Sequence, residues 1–330
     1  MRQIVRGWAA LSMGLGIVLL VLAIGTVAQV GAPRPPTVVS PPTSGPTQTD
    51  VEPTPEPPQV DVEPTSDLPQ VEAGSTLSRK PLVAVDAGHG GTDAGGEHRN
   101  AQGDVDLTES QVNLQIALLL RDALQARGCD VYLTRSSDDF PDEPMQDWNG
   151  DGEITVRDDL QLRVDRANAA GADVLISLHE NALDNADPTA SCSNGGGGTT
   201  TYYCADRPFA DRNLRLATLV HREVLTAIRS FGYEPADQGI IDDHQLQTPT
   251  GKGEHIYILG PHDNVITRPS LMPGVLSEPL FVTCEPEEAL LTRADFRAAL
   301  AKAYANAITD FLRGEGWPLA SPTTSPTLGF

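Results

Sequence analysis

The chain has 330 residues and a formal net charge of −22, with 45 acidic against 23 basic side chains. That excess of acid excludes nucleic acid as a partner, because no basic surface is left to neutralise phosphates. The length admits one large or two small domains, and the absence of any Cys-x-x-Cys spacing argues against a structural zinc knot.

Residues Trp8 to Val30 carry no charge and follow Arg2 and Arg6, so residues 1–32 read as either a signal peptide or a membrane anchor. The length favours an anchor, while Thr26-Val27-Ala28 offers a cleavage site. In both cases the arginines place the remainder outside the cytoplasm, secreted or tethered to the cytoplasmic membrane. Residues 33–79 are rich in Pro, Thr and acids, repeat DVEPT at Asp50 and Asp61, and have no apolar face to bury, so they read as a disordered linker. One globular domain is expected over residues 80–314, followed by a second disordered tail at 315–330.

Within that domain, Val83–Asp86 predicts a short strand ending in a glycine-rich turn that carries His89. Thr108 and Gln111 resemble a capping box. Val112, Ile116, Leu119, Leu120 and Leu124 then recur at helical spacing until Gly128, which predicts a helix over 109–127. Cys129–Arg135 predicts a strand parallel to the first through a right-handed crossover. A helix over Leu160–Ala170, strands at Ala172–Leu178 and Thr199–Tyr203, and a helix over Arg212–Phe231 follow. Strands at His255–Leu259 and Gly274–Leu276 come next, then one or two helices within Glu285–Arg313. The alternation predicts an α/β fold with a mostly parallel (mixed) sheet of about six strands and helices on both faces. Cys192 and Cys204 bracket a Gly/Thr/Tyr segment and are the best candidate disulfide. Cys129 and Cys284 read as buried small hydrophobes, with a disulfide between them as the alternative.

In open α/β sheets functional groups gather beyond the carboxyl ends of the strands. His89 follows VAVD, Glu109 opens the first helix, His179 ends ISL, and Glu278 ends GVLS. Two histidines and a carboxylate are the composition of a catalytic zinc site with one position left for water, and a further carboxylate would serve as general base. Each residue also has an ordinary reading: Glu109 as a helix-dipole partner, the histidines as backbone-bonded loop residues, Glu278 as a surface acid. His98, His221, His244, His255 and His262 lack comparable placement, with His244 and His255 the best placed to line a cleft. A second metal motif is local. In DWNGDGEITVRD, Asp147, Asn149 and Asp151 take positions one, three and five of a calcium loop. Gly152 takes the sharp turn, Glu153 offers its carbonyl, and Asp158 sits at position twelve. Calcium there would order the loop and, through the following helix, the strand that presents His179.

Five segments in order, DAGHGGTDAGG, TESQVNLQIALLL, VYLTR, RVDRANAAGADVLISLHENA and PGVLSEPLFVTCEPEEALL, resemble the zinc-dependent N-acetylmuramoyl-L-alanine amidases of the amidase type 3 family of cell-wall hydrolases. The resemblance implies zinc held by His89, Glu109 and His179, with Glu278 as catalytic acid/base. It also implies hydrolysis of the peptidoglycan amide between N-acetylmuramic acid and L-alanine, in wall remodelling or cell separation. The chain departs from the family in a longer turn between His89 and Glu109, in Glu180, and in the residues after Glu278. Another zinc peptidase acting on stem peptides, or an inactive wall-binding or regulatory protein, are the alternatives, and no protein activator can be identified from the residues.

Overall fold

The computed structural model describes residues 79–142, 144–183, 197–245 and 255–320. The expected signal or anchor, all of the linker but Arg79, the tail from 321 and Cys192 lie outside the described residues. Among the described residues no helix is long and apolar enough to cross a membrane.

Six strands form the main sheet: β1 (Leu82–Ala87), β4 (Asp130–Leu133), β5 (Val174–Leu178), β6 (Thr199–Tyr203), β7 (Asp237–Asp242) and β8 (Gly274–Glu278). Their spatial order is β4-β1-β5-β8-β6-β7. β4, β1, β5 and β8 are parallel, β6 is antiparallel to β8, and β7 is parallel to β6, so the sheet is mixed as expected. The inner strands open on apolar runs because both faces are covered, and turn polar toward their carboxyl ends at Asp86, Ser177, Ser277 and Glu278. Val83, Val85, Val174 and Ile176 point to one core, shared with helices α1 (Glu109–Gln125), α3 (Ala210–Arg229) and α5 (Ala294–Gly314). Ala84 and Leu175, one residue out of phase, point to a second core with Val164 and Ala167 of α2 (Val156–Ala170). A short α4 (Glu285–Leu291) precedes α5.

Four expectations need correction. His255–Leu259 is not a strand: Leu259 and Gly260 donate back to the carbonyl of Ile256, forming a turn whose Ile258 and Leu259 fill the α2-side core. A short apolar run buries itself in either conformation, and the edge of the sheet is taken by β7 instead. The stretch 315–320 is not a free tail, since Trp317 is buried in the main core, Leu319 packs against it, and Arg79 stacks over the Trp317 ring at 5.0 Å. Neither cysteine pairing forms: Cys129 and Cys204 are both buried free thiols, whereas Cys284 is disulfide-bonded. Lastly, the long turn between His89 and Glu109 contains an antiparallel hairpin, β2 (Glu97–Arg99) with β3 (Val105–Thr108), that sequence periodicity did not signal.

Candidate metal centre

β1, β5 and β8 deliver their carboxyl ends side by side, and three of the four singled-out residues come from there. His89 follows β1, His179 follows β5, and Glu278 ends β8; Glu109 enters from the first turn of α1. Thr108 N-caps that helix, its hydroxyl accepting from the Gln111 N–H at 3.4 Å. His89 Nε2 lies 3.1 Å from Glu109 Oε1 and His179 Nδ1 lies 3.0 Å from the same oxygen. The three ligand atoms fall within 4.8 Å of one another, and the two imidazoles meet edge to face with centroids 4.8 Å apart.

Each donor is aimed by its surroundings. Asp93 Oδ2 is 2.9 Å from His89 Nδ1, which turns Nε2 inward, the carboxylate–histidine arrangement that orients a metal-binding ring. Glu109 Oε2 accepts the Gly96 N–H at 2.8 Å, and Oε1 accepts the Glu180 N–H at 3.1 Å. His89 has a backbone φ of 62°, a left-handed conformation rare outside glycine, which costs of order 1–3 kcal/mol and is typical of residues held for function. Two glycines make room: a Cβ on Gly88 would sit 2.3 Å from the His179 ring, and one on Gly95 would sit 2.6 Å from Glu109 Oε2.

Beneath the turn two buried arginines hold its backbone. Arg163 donates to the carbonyls of Ala87 at 2.7 Å and His89 at 2.8 Å. Arg135 donates to those of Ala87 at 2.8 Å and Gly88 at 3.0 Å. Arg163 also pairs with Asp86 at 2.9 Å and Asp159 at 2.7 Å. Burial alone would raise the Asp86 carboxyl, but Arg163, Ser177 and Thr134 pull it down to about 2. Sequence reading missed Asp93, Arg135, Arg163 and Asn181. Asp93 alone had a signal, its position one turn of chain after His89 in the same glycine-rich loop.

The electrostatics fit a cation. Burial opposes charge on His89, yet Glu109 and Asp93 outweigh it and lift the imidazole to about 10. Burial likewise opposes charge on Glu109, and the histidines still hold it far below the usual carboxylate range. The pocket therefore stabilises positive charge between these groups, and an N, O, N donor set suits zinc. Glu278 differs. Its Oε2 accepts from Asn181 Nδ2 at 2.8 Å, and desolvation, reinforced by the charge of Glu109 and opposed by His89, pushes it up to about 8. A carboxylate poised near neutrality suits proton transfer. Glu180 is buried, its carboxyl raised well above normal mainly by desolvation, and its Oε2 accepts the Leu280 N–H at 3.1 Å, so it fastens the segment after β8.

The acidic loop behaves otherwise. Asp147 accepts from the N–H groups of Gly150 at 2.7 Å and Gly152 at 3.0 Å, Asn149 from Asp151 at 2.8 Å, and Asp151 from Glu153 at 2.9 Å. Asp158 accepts from Asn149 at 3.0 Å and Thr155 at 2.7 Å, completing a capping box that starts α2 four residues earlier than expected. Its acids do not form one of the groups of three or more ligand side chains that converge within 4.8 Å among the described residues.

A family model described as N-acetylmuramoyl-L-alanine amidase matches residues 83–310. The amidase AmiA of Salmonella typhimurium is 29% identical over 251 residues, covering 70% of this chain and 76% of that protein. The endolysin of Bacillus phage SPP1 is 28% identical over 232 residues, covering 70% and 66%. Among solved structures, an N-acetylmuramoyl-L-alanine amidase from Clostridium difficile 630 superposes with a TM-score of 0.51 at 25% identity, covering 72% of this chain and 100% of that one.

Proposed function

The chain belongs to the N-acetylmuramoyl-L-alanine amidase family, and from that premise we propose that it hydrolyses the amide between N-acetylmuramic acid and L-alanine in peptidoglycan, using zinc. The observation that carries the reading is the convergence of His89 Nε2, Glu109 Oε1 and His179 Nδ1 on one point, with Glu278 beside them. These three side chains would hold the ion. When bound, zinc supplies Lewis acidity that polarises the amide carbonyl and makes water easier to deprotonate.

The remaining work falls to the protein. Glu278 takes the proton from water and returns it to the departing amine, and Asn181 holds its carboxyl group in place. Asp93 fixes the His89 ring, and Arg135 with Arg163 fixes the backbone that carries it. Retention of every one of these groups in working geometry speaks for an active hydrolase over an inactive wall-binding protein. Activity on the wall requires a location outside the cytoplasm, in agreement with the uncharged N-terminal segment as a signal or anchor and residues 33–79 as its linker. We read the 147–158 loop as a calcium-ordered insertion, supported by the match of Asp147, Asn149, Asp151, Gly152 and Asp158 to the positions of a calcium loop.

Digesting purified peptidoglycan with the full chain tests the reaction class. Peptides that begin with L-alanine should be released while the glycan stays whole, and zinc chelation should stop their release. Fragments cut inside the stem peptide would instead establish the peptidase alternative.

A further inference from the structure

The opposite end of the sheet carries a second cluster. β6 runs antiparallel to β8, with Thr200 level with Glu278 and Tyr202 level with Leu276. Its carboxyl end therefore points away from the centre described above, and Cys204 lies roughly 13 Å further along the strand direction than Glu278, at about 3.3 Å per residue. Cys204 follows β6 and Asp243 follows its parallel neighbour β7. Both are fully buried, and both converge on His255 from the turn 255–260.

The geometry of that convergence is specific. Cys204 Sγ lies 3.6 Å and Asp243 Oδ1 3.0 Å from the same ring nitrogen, His255 Nδ1. A Cys–His–Asp relay would place thiol and carboxylate on different nitrogens of the imidazole, so this is not a nucleophilic triad. Three unlike donor atoms meeting at one point is how a metal ion is held, and tetrahedral zinc sets neighbouring ligand atoms about 3.3–3.7 Å apart. The donors are also anchored. Asn213 Nδ2 donates to the Cys204 carbonyl at 2.9 Å, and the Ile256 N–H donates to Asp243 Oδ2 at 3.1 Å, which turns Oδ1 toward His255. Asp206 Oδ2 stands 3.6 Å from His255 Nε2, the side from which a second carboxylate orients a ligating ring. Finally, Cys204 remains a thiol in a chain whose Cys284 is disulfide-bonded.

We propose that Cys204, Asp243 and His255 form a second metal site, separate from the hydrolytic centre, that takes zinc. A thiolate beside an imidazole selects zinc over the hard cations calcium and magnesium. An ion held there ties the ends of β6 and β7 to the turn 255–260.

The test counts metal and reads the thiolate directly. The full chain loaded with zinc should hold two ions by elemental mass spectrometry, falling to one in Cys204→Ser and to one in His179→Ala. With cobalt in place of zinc, a sulfur-to-cobalt charge-transfer band should appear in the wild type, in His179→Ala and in Cys129→Ser, and vanish in Cys204→Ser and His255→Gln. Peptidoglycan hydrolysis should survive Cys204→Ser and be lost in His179→Ala. A wild type with no such band, or a band that survives Cys204→Ser, overturns the proposal. If Cys204→Ser does not fold, loss of the band in His255→Gln decides in favour and its persistence against. One ion with the band present would instead count against the hydrolytic zinc, so the two readings fail separately.

Discussion

Glu109 and Asp158 make an instructive pair. Both are buried carboxylates in the first turn of a helix, and both accept backbone N–H groups. Asp158 takes its partners from Asn149 and Thr155, so the 147–158 loop closes on itself and the helix start is its product. Glu109 takes its partners from Gly96 and Glu180 and turns one oxygen toward two histidines of different strands. The same chemistry serves local order in one region and gathers side chains that could hold a metal in the other. What separates them is where the donors come from: short-range partners stabilise a turn, while partners from distant elements fix an atom in space.

Removing the carboxyl group proposed as the base should have the largest effect. Glu278→Gln is expected to lower kcat/KM on peptidoglycan about 10²–10⁴-fold, roughly 3–5 kcal/mol of barrier, without moving the melting temperature. The base works only when deprotonated, so wild-type activity should be lost as pH falls through the pKa of Glu278. That value is about 8 in the protein alone and falls once a cation sits beside it. A pH profile measures the limb, and a limb that persists unchanged in Glu278→Gln would assign it to another group.

Next comes the scaffold under the assembled centre. Arg163→Met strands Asp86 and Asp159 as buried charges and should destabilise the fold by about 3–5 kcal/mol in denaturant titrations. Asp86 is depressed to about 2 from an ordinary 3.8, so its contribution is present above pH 3.8 and lost as pH falls toward 2. The variant should lack that part of the acid dependence.

Asp93→Asn should weaken zinc about 10–100-fold in competition with a chromophoric chelator, leaving the fold intact. An unchanged affinity would mean that packing alone orients His89. Smallest is the local loop: Asp158→Ala should cost about 0.5–2 kcal/mol and leave zinc content unaltered. Adding calcium at fixed zinc should raise the wild-type melting temperature and not that of Asp151→Ala. If calcium moves neither, the loop is a hydrogen-bonded turn and nothing more.

Much of this could be read along the chain, and the misses have a common cause. Helix α1, strand β6 and the quartet His89, Glu109, His179 and Glu278 stood out because apolar periodicity and abrupt polar steps at strand ends are written in consecutive residues. The hairpin β2–β3 and edge strand β7 carry too little alternation to register, and the apolar run at 255–259 found its burial as a turn. Arg135 and Arg163 drew no notice, because nothing local reveals that their guanidinium groups end beneath the His89 turn.

By itself the sequence determined the α/β class, the positions of His89, Glu109, His179 and Glu278 at element ends, and an acidic loop ahead of α2. Each follows from local pattern: period, capping residues and glycine placement. Only the tertiary structure decided that Glu109 Oε1 would lie between two imidazoles, that Asp93 and Asn181 would orient their neighbours, and that Cys204 would meet His255 in place of forming a disulfide. Those outcomes depend on strand order and direction, above all on β6 running against β8, and no stretch of neighbouring residues encodes which strands lie side by side.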